Sequence, residues 1–234
     1  MKLFFPLFMA FVLLVGNTMK ANANEPSSTI DVGGAKSVLI IPKNPVASVI
    51  LLAGGEGNIG VGPDGFIERD GNQVVRTRTN YSERHFAVLV PDAGYDLSAL
   101  VEYMKKIKRP VVVVATSRGT QRAAKGIVEG AKPDKLVLTS GFLSLESGAK
   151  NNVMTIVKDP ALLPPMLIVH HRQDHCFVTK PEGVDPFIKW VGNKAKLVWL
   201  DGGEDGGDPC EAQSYHGFLG IDQKVVDVVS AFVR

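Results

Sequence analysis

The stretch V-V-V-V-A-T-S-R-G-T, residues 111–120, governs how the rest of the chain is read. Four valines and an alanine form a short, β-branched run with no polar alternation. Such a run is a strand covered on both faces, as in a parallel sheet. Pro110 precedes it, and a helical stretch follows from Gly119 to about Gly130. Ser117 therefore falls on the turn at the carboxyl end of a buried strand, where open α/β sheets bind ligands. Such a turn brings the backbone close to the next helix and needs small residues two positions either side of the serine. Ala115 and Gly119 satisfy that need. An N-cap serine on an ordinary α/β connection fits the same spacing.

Outward from this strand the same pattern repeats. Ser37–Ile41, Ala47–Ala53, Phe86–Val90, Lys135–Thr139, Met166–His170 and Lys196–Leu200 read as further strands. Helices are expected over Val74–His85, Asp96–Lys108, Asp185–Val191 and Asp222–Val233, the second capped by Asp96. Apolar strands alternating with helices imply an α/β domain with a mostly parallel central sheet and helices on both faces. Asn24–Ser28 reads as a polar leader, and the glycine-rich 54–72 stretch as a long functional loop.

Met1–Ala23 is read apart from that domain. Lys2 precedes a charge-free run from Leu3 to Val15, and Ala21-Asn22-Ala23 supplies a small-x-small cleavage signal. This is the layout of a secretory signal peptide; the run is too short for a membrane span and contains Pro6. The expected mature chain, 24–234, is then a single exported domain, periplasmic or secreted, with no stable membrane anchor. Cleavage removes Lys2 and Lys20 and no acid from a chain of 26 basic and 24 acidic residues, leaving it neutral. A neutral chain without basic clusters lacks the field that nucleic acid requires.

Three features accompany Ser117. Gly54-Gly55 directly follows the strand Ala47–Ala53, and glycines let backbone amides approach a developing oxyanion. Asp174 lies in L-I-V-H-H-R-Q-D-H-C, shortly beyond a late strand, and His216 in Y-H-G-F, just before the final helix. With serine, acid and histidine in that order, each after a strand, the chain resembles the α/β-hydrolase family over nearly all of the expected mature sequence.

The resemblance implies a cofactor-free serine hydrolase acting on a small-molecule acyl substrate. Ser117 would attack the acyl carbon, His216 would be general base and then acid, and Asp174 would hold the imidazole tautomer. The oxyanion would sit on the amides of Gly55 and Arg118, with Gly54 shaping the turn. Ala115 replaces the family's first motif glycine, and A-G-G-E stands where many relatives have His-Gly, which leaves open which amide donates. The interval between Gly141 and Pro165 is too short for a lid domain. An open cleft is expected, with Met154, Leu162, Leu163 and Pro164 as lining, and with Phe142 and Phe218 as either lining or core.

These residues admit other readings. Adjacent His170 and His171 would face opposite sides of a strand, so H-H-R-Q-D-H does not present both to one metal ion. D-G-G-E-D-G-G-D, from Asp201 to Asp208, lacks the twelve-residue calcium-loop pattern and reads as a solvated loop freeing the His216 segment. Asp92 is first a turn residue and second a spare acid. The Arg118 side chain fits either a substrate carboxylate or a surface role. A catalytically silent binding protein of the same fold is the rival from another class, and sequence does not separate ester from amide cleavage. Cys176 and Cys210 are the only cysteines, and an even pair in an exported chain implies a disulfide joining the acid and histidine loops.

Overall fold

The computed structural model describes residues 27–234; the expected signal peptide and its cleavage site lie outside the described residues. The strands are β1 Ser27–Val32, β2 Ala35–Ile40, β3 Ala47–Leu52, β4 Phe86–Pro91, β5 Val111–Thr116, β6 Lys135–Thr139, β7 Met166–His171 and β8 Ala195–Leu200. They form one sheet in the order β1-β2-β4-β3-β5-β6-β7-β8. β1, β2 and β4 pair antiparallel, and every pairing from β4 through β3 to β8 is parallel.

The helices are α1 Gln73–Arg76, α2 Arg78–Ser82, α3 Leu97–Ile107, α4 Arg118–Val128, α5 Val153–Val157, α6 Val184–Val191 and α7 Asp222–Val233. Alternate residues of β5 serve two cores. Val111, Val113 and Ala115 pack with α3, α4 and α6, whereas Val112 and Val114 pack with α1, α2 and α7. That double burial is why the run shows no polar alternation. Between β6 and β7 there are only short turns and α5, with no cap domain.

The sheet places the site through one reversal of direction. The chain leaves β3 toward β4 on one side, returns through α3, and enters β5 on the other side of β3. Leu52 and Ala115, at the carboxyl ends of β3 and β5, are register partners. The loops leaving these two ends diverge and open a crevice between them, the ligand position of open α/β sheets.

Two expectations are corrected. Asn24–Ser28 is not all leader: Ser27 and Ser28 begin β1, whose polar residues suit a half-exposed edge. Gly33 and Gly34, at φ 62° and 83°, form the hairpin turn that pairs β1 with β2. The expected helix Val74–His85 breaks at Thr77 into α1 and α2, where the Thr77 hydroxyl donates to the Gln73 carbonyl at 2.8 Å. Among the described residues, no helix is long and apolar enough to cross a membrane.

α4 comes close to the end of β3 at Gly119, where a methyl group would lie 2.5 Å from the Leu52 carbonyl oxygen and 2.8 Å from that of Ala53. Gly119→Ala should therefore push α4 off β3 and destabilise the domain by about 1–3 kcal/mol, the usual cost of overpacking. Urea denaturation should show a lower midpoint at unchanged slope.

Candidate active site

Ser117 sits between β5 and α4 with φ 52° and ψ −128°, a conformation L-residues rarely adopt. It is held there from both sides. Its N–H donates to the Thr139 carbonyl at 3.1 Å, and its carbonyl accepts from the Thr120 hydroxyl at 2.7 Å. The strained turn lifts the side chain out of the sheet's end into a cleft of about 650 Å3. Gly54 lies beside it: a methyl group there would be 3.1 Å from Ser117 Cβ and 3.1 Å from Asn72 Nδ2. The Arg118 N–H belongs to the first turn of α4 and makes no hydrogen bond among the described residues.

On the other side of the cleft, His216 Nδ1 lies 3.0 Å from Asp174 Oδ2. Both side chains are nearly excluded from solvent. The second Asp174 oxygen accepts from the Cys176 N–H at 3.0 Å. Thr179, fully buried, donates its hydroxyl to Asp174 Oδ2 at 3.1 Å and lies 3.0 Å from His216 Nδ1. The acid is thus aimed by two donors besides the histidine. With Nδ1 engaged by carboxylate, Nε2 is the ring nitrogen left for chemistry. Ser117 and His216 line the same cleft without a direct hydrogen bond between them.

His216 lies in a single 3-10 turn, Tyr215–Gly217, that is pinned by outside groups. Its carbonyl accepts from the buried Ser140 hydroxyl at 2.7 Å. Arg76 donates to the carbonyls of Gly71 at 2.7 Å, Gly217 at 2.7 Å and Ala212 at 3.2 Å, and pairs with Asp222 at 2.9 Å. A disulfide joins Cys176 to Cys210, as the sequence leads one to expect, and both cysteines line the cleft.

The 54–72 loop closes the remaining wall. Asp92 anchors it, accepting from Ile59 N–H at 2.8 Å and Val61 N–H at 3.1 Å. Burial of Asp92 disfavours its charge, but these donors and the Ala93 N–H outweigh that and hold its carboxyl below the usual range. Asp92 is therefore a loop anchor, and Asp174 is the acid that meets the histidine. The Arg118 side chain pairs with Glu56 across the cleft mouth.

Several expected lining residues lie elsewhere. Phe142 does line the cleft, together with Phe177 and Val178. Leu163 is buried with the α3–α4–α6 core and Met154 packs against it, Leu162 is half exposed, and Phe218 is buried on the α7 side. Pro164 is likewise absent from the walls. Met154, Leu162, Leu163 and Pro164 lie farther along the β6–β7 connection than Phe142, which directly follows β6 and reaches the cleft.

His170 and His171 point to opposite faces. His170 is fully buried beside Trp199, and burial pushes its pKa down, only partly opposed by Asp174, so the ring stays neutral. His171 stacks on Tyr215 with centroids 4.6 Å apart and bonds the Gly202 carbonyl at 2.9 Å. Among the described residues, no group of three His, Cys, Asp or Glu side chains is arranged to hold a metal ion.

No family model matches the sequence, and no curated protein matches it either. Solved structures do. TT1662 from Thermus thermophilus superposes with a TM-score of 0.62 at 13% identity, over 89% of this chain and 98% of that one. Dienelactone hydrolase from Anabaena variabilis gives 0.58 at 14%, over 88% and 96%. XC6422 from Xanthomonas campestris, described as an α/β serine hydrolase without a lid, gives 0.57 at 12%, over 87% and 95%.

The chain has the α/β-hydrolase fold.

Within this α/β-hydrolase fold, Ser117, Asp174, His216, Gly54, Gly55 and Arg118 all converge on the cleft or its immediate support. Sequence reading missed Thr179, Arg76 and Ser140, because threonine, arginine and serine at those positions carry no motif and act only through the folded neighbours. The disulfide spans 34 positions, and closing such a loop is worth roughly 3–4 kcal/mol in the chain-entropy model. Cys176→Ser with Cys210→Ser should lower the melting temperature by on the order of 10 °C. Thiol titration of the unfolded, non-reduced native chain should find no free thiol.

Proposed function

We propose that this chain is an exported serine hydrolase that cleaves an ester or related acyl bond of a small molecule through Ser117, His216 and Asp174. The observation that carries the reading is the Asp174–His216 pair opening on the same cleft as a serine held at positive φ. A silent binding module has no use for either the backbone strain or a buried carboxylate–imidazole pair. Solved structures of similar fold that are described as esterases support the ester class, among them one from an uncultured bacterium and one from Pyrococcus furiosus. The Cys176–Cys210 bridge supports an oxidising compartment and so export.

The chemistry follows from the placement of groups. His216 Nε2 takes the Ser117 proton as Oγ bonds to the acyl carbon. The carbonyl oxygen becomes an oxyanion, received by the N–H groups of Gly55 and Arg118 and by the positive end of α4. Collapse of this intermediate breaks the bond to the leaving oxygen, which takes the proton from His216, and leaves an acyl-serine. Water then attacks the acyl-serine and gives its proton to His216; the acyl–Oγ bond breaks, the carboxylic acid leaves, and His216 returns the proton to Ser117 Oγ. Asp174 keeps Nδ1 protonated and stabilises the imidazolium throughout. With no cap domain, acyl groups enter from solvent past Phe142, Phe177 and Val178.

Purified protein should be labelled by a fluorophosphonate and should hydrolyse short p-nitrophenyl esters. Ser117→Ala should abolish both; labelling that persists at another serine defeats the assignment. Asp174→Asn should lower kcat by about 10⁴-fold through the wrong His216 tautomer. Asp92→Asn should affect stability far more than kcat, and the reverse pattern would show the acid to be misplaced.

A further inference from the structure

The N–H groups of Gly55 and Glu56 donate to no acceptor among the described residues. Both residues line the cleft beside Ser117. What faces the other side of their peptides is one side chain, Arg122, on α4. Its Nη1 donates to the Gly55 carbonyl at 2.8 Å. Its Nη2 donates to the Ala53 carbonyl and lies 3.4 Å from that of Gly54. Among the described residues, no carboxylate lies within ion-pair reach of this guanidinium, whose bonds go to these three carbonyls.

The arrangement is built rather than incidental. Gly57, at φ 78°, gives the guanidinium room: a methyl group there would sit 3.0 Å from Arg122 Cζ. Tyr95 lies close by; burial pushes its phenol pKa up, with Arg122 pulling the other way. Arg122 stands five residues after Ser117 on the helix that starts at the nucleophile. The fork that grips the turn and the serine that uses it are thereby parts of one rigid element.

We propose that Arg122 is the positioning residue of the oxyanion site, and that the proposal rests on the hydrolase reading above. In a trans peptide the C=O and N–H point in opposite directions. Gripping the Gly54 and Gly55 carbonyls from the helix side turns the N–H groups of Gly55 and Glu56 away from Arg122. A cation bonded to the carbonyl oxygens also polarises those peptides, which makes their N–H groups stronger donors to a developing negative charge. The planar fork holds several carbonyls at fixed angles, which an ammonium cannot reproduce. The Gly55 donor of the oxyanion site, with the Glu56 N–H beside it, is thus preorganised before substrate arrives, the condition under which such a donor favours the transition state over the ground state.

The test compares Arg122→Met and Arg122→Lys with the wild-type chain, using p-nitrophenyl butyrate as substrate and an alkyl boronic acid as analogue of the tetrahedral intermediate. The Met variant should lose about 10²-fold in kcat with KM within threefold, and boronate affinity should fall by a similar factor. The Lys variant should lie between Met and wild type. Should the Met variant fail to fold, the Lys variant reads the same ratio of boronate to substrate affinity. If folded variants keep wild-type kcat, or lose substrate and boronate binding equally, the role assigned to Arg122 is overturned. Wild-type protein without Ser117-dependent turnover would overturn the hydrolase reading itself, a separate outcome.

Discussion

The positive-φ turn at Ser117 is the constraint around which the molecule is arranged. A non-glycine residue in that region costs about 1–3 kcal/mol and persists only where the surroundings over-determine it. Here the surroundings are the centre of the sheet. β5 is buried on both faces, β3 and β6 flank it, and α4 packs so closely that Gly119 meets the carbonyls of Leu52 and Ala53. The same approach brings Gly54 against the serine. Ser117 and the glycine turn therefore share one rigid frame, and their relative placement does not depend on loop conformation.

The acid and the histidine are placed by a different principle. Asp174 follows β7 on irregular backbone and His216 sits in a single 3-10 turn, Tyr215–Gly217, before α7, both outside the sheet and the long helices, where conformational entropy favours movement. The structure answers with cross-links from outside the loops. The Cys176–Cys210 bond joins them covalently, Arg76 ties the His216 loop to the segment preceding α1, and Thr179 fixes the carboxylate beneath the imidazole. The strained group sits on regular structure, and the unstrained groups are stapled.

How much of this was legible depended on whether burial or neighbours set the pattern. Seven of the eight strands are visible as apolar runs because they lie inside the sheet or against its core. β1 escaped, being a half-exposed edge strand with serine, threonine and aspartate; the Gly33–Gly34 turn was its only mark. The helix expected over Val74–His85 failed at Thr77, where a hydroxyl competes for the backbone and the chain must bend past the site. The lining residues expected between Met154 and Pro164 were misplaced, because proximity in sequence to β6 does not say which part of the β6–β7 connection borders the crevice.

The sequence by itself determined the α/β architecture, the serine at a strand-to-helix turn, and the order of serine, acid and histidine. Each is a local property: apolar runs need cover, small residues permit a tight turn, and side-chain chemistry is readable without a fold. Tertiary structure alone decided the distances: it brings Asp174 Oδ2 to 3.0 Å from His216 Nδ1 and turns Asp92 to the amides of Ile59 and Val61. It alone showed Arg122 gripping the glycine turn, because a guanidinium's partners here are backbone carbonyls nearly seventy residues earlier in the chain. Backbone groups are the same at every position, and which of them a side chain meets is settled only when the chain is folded.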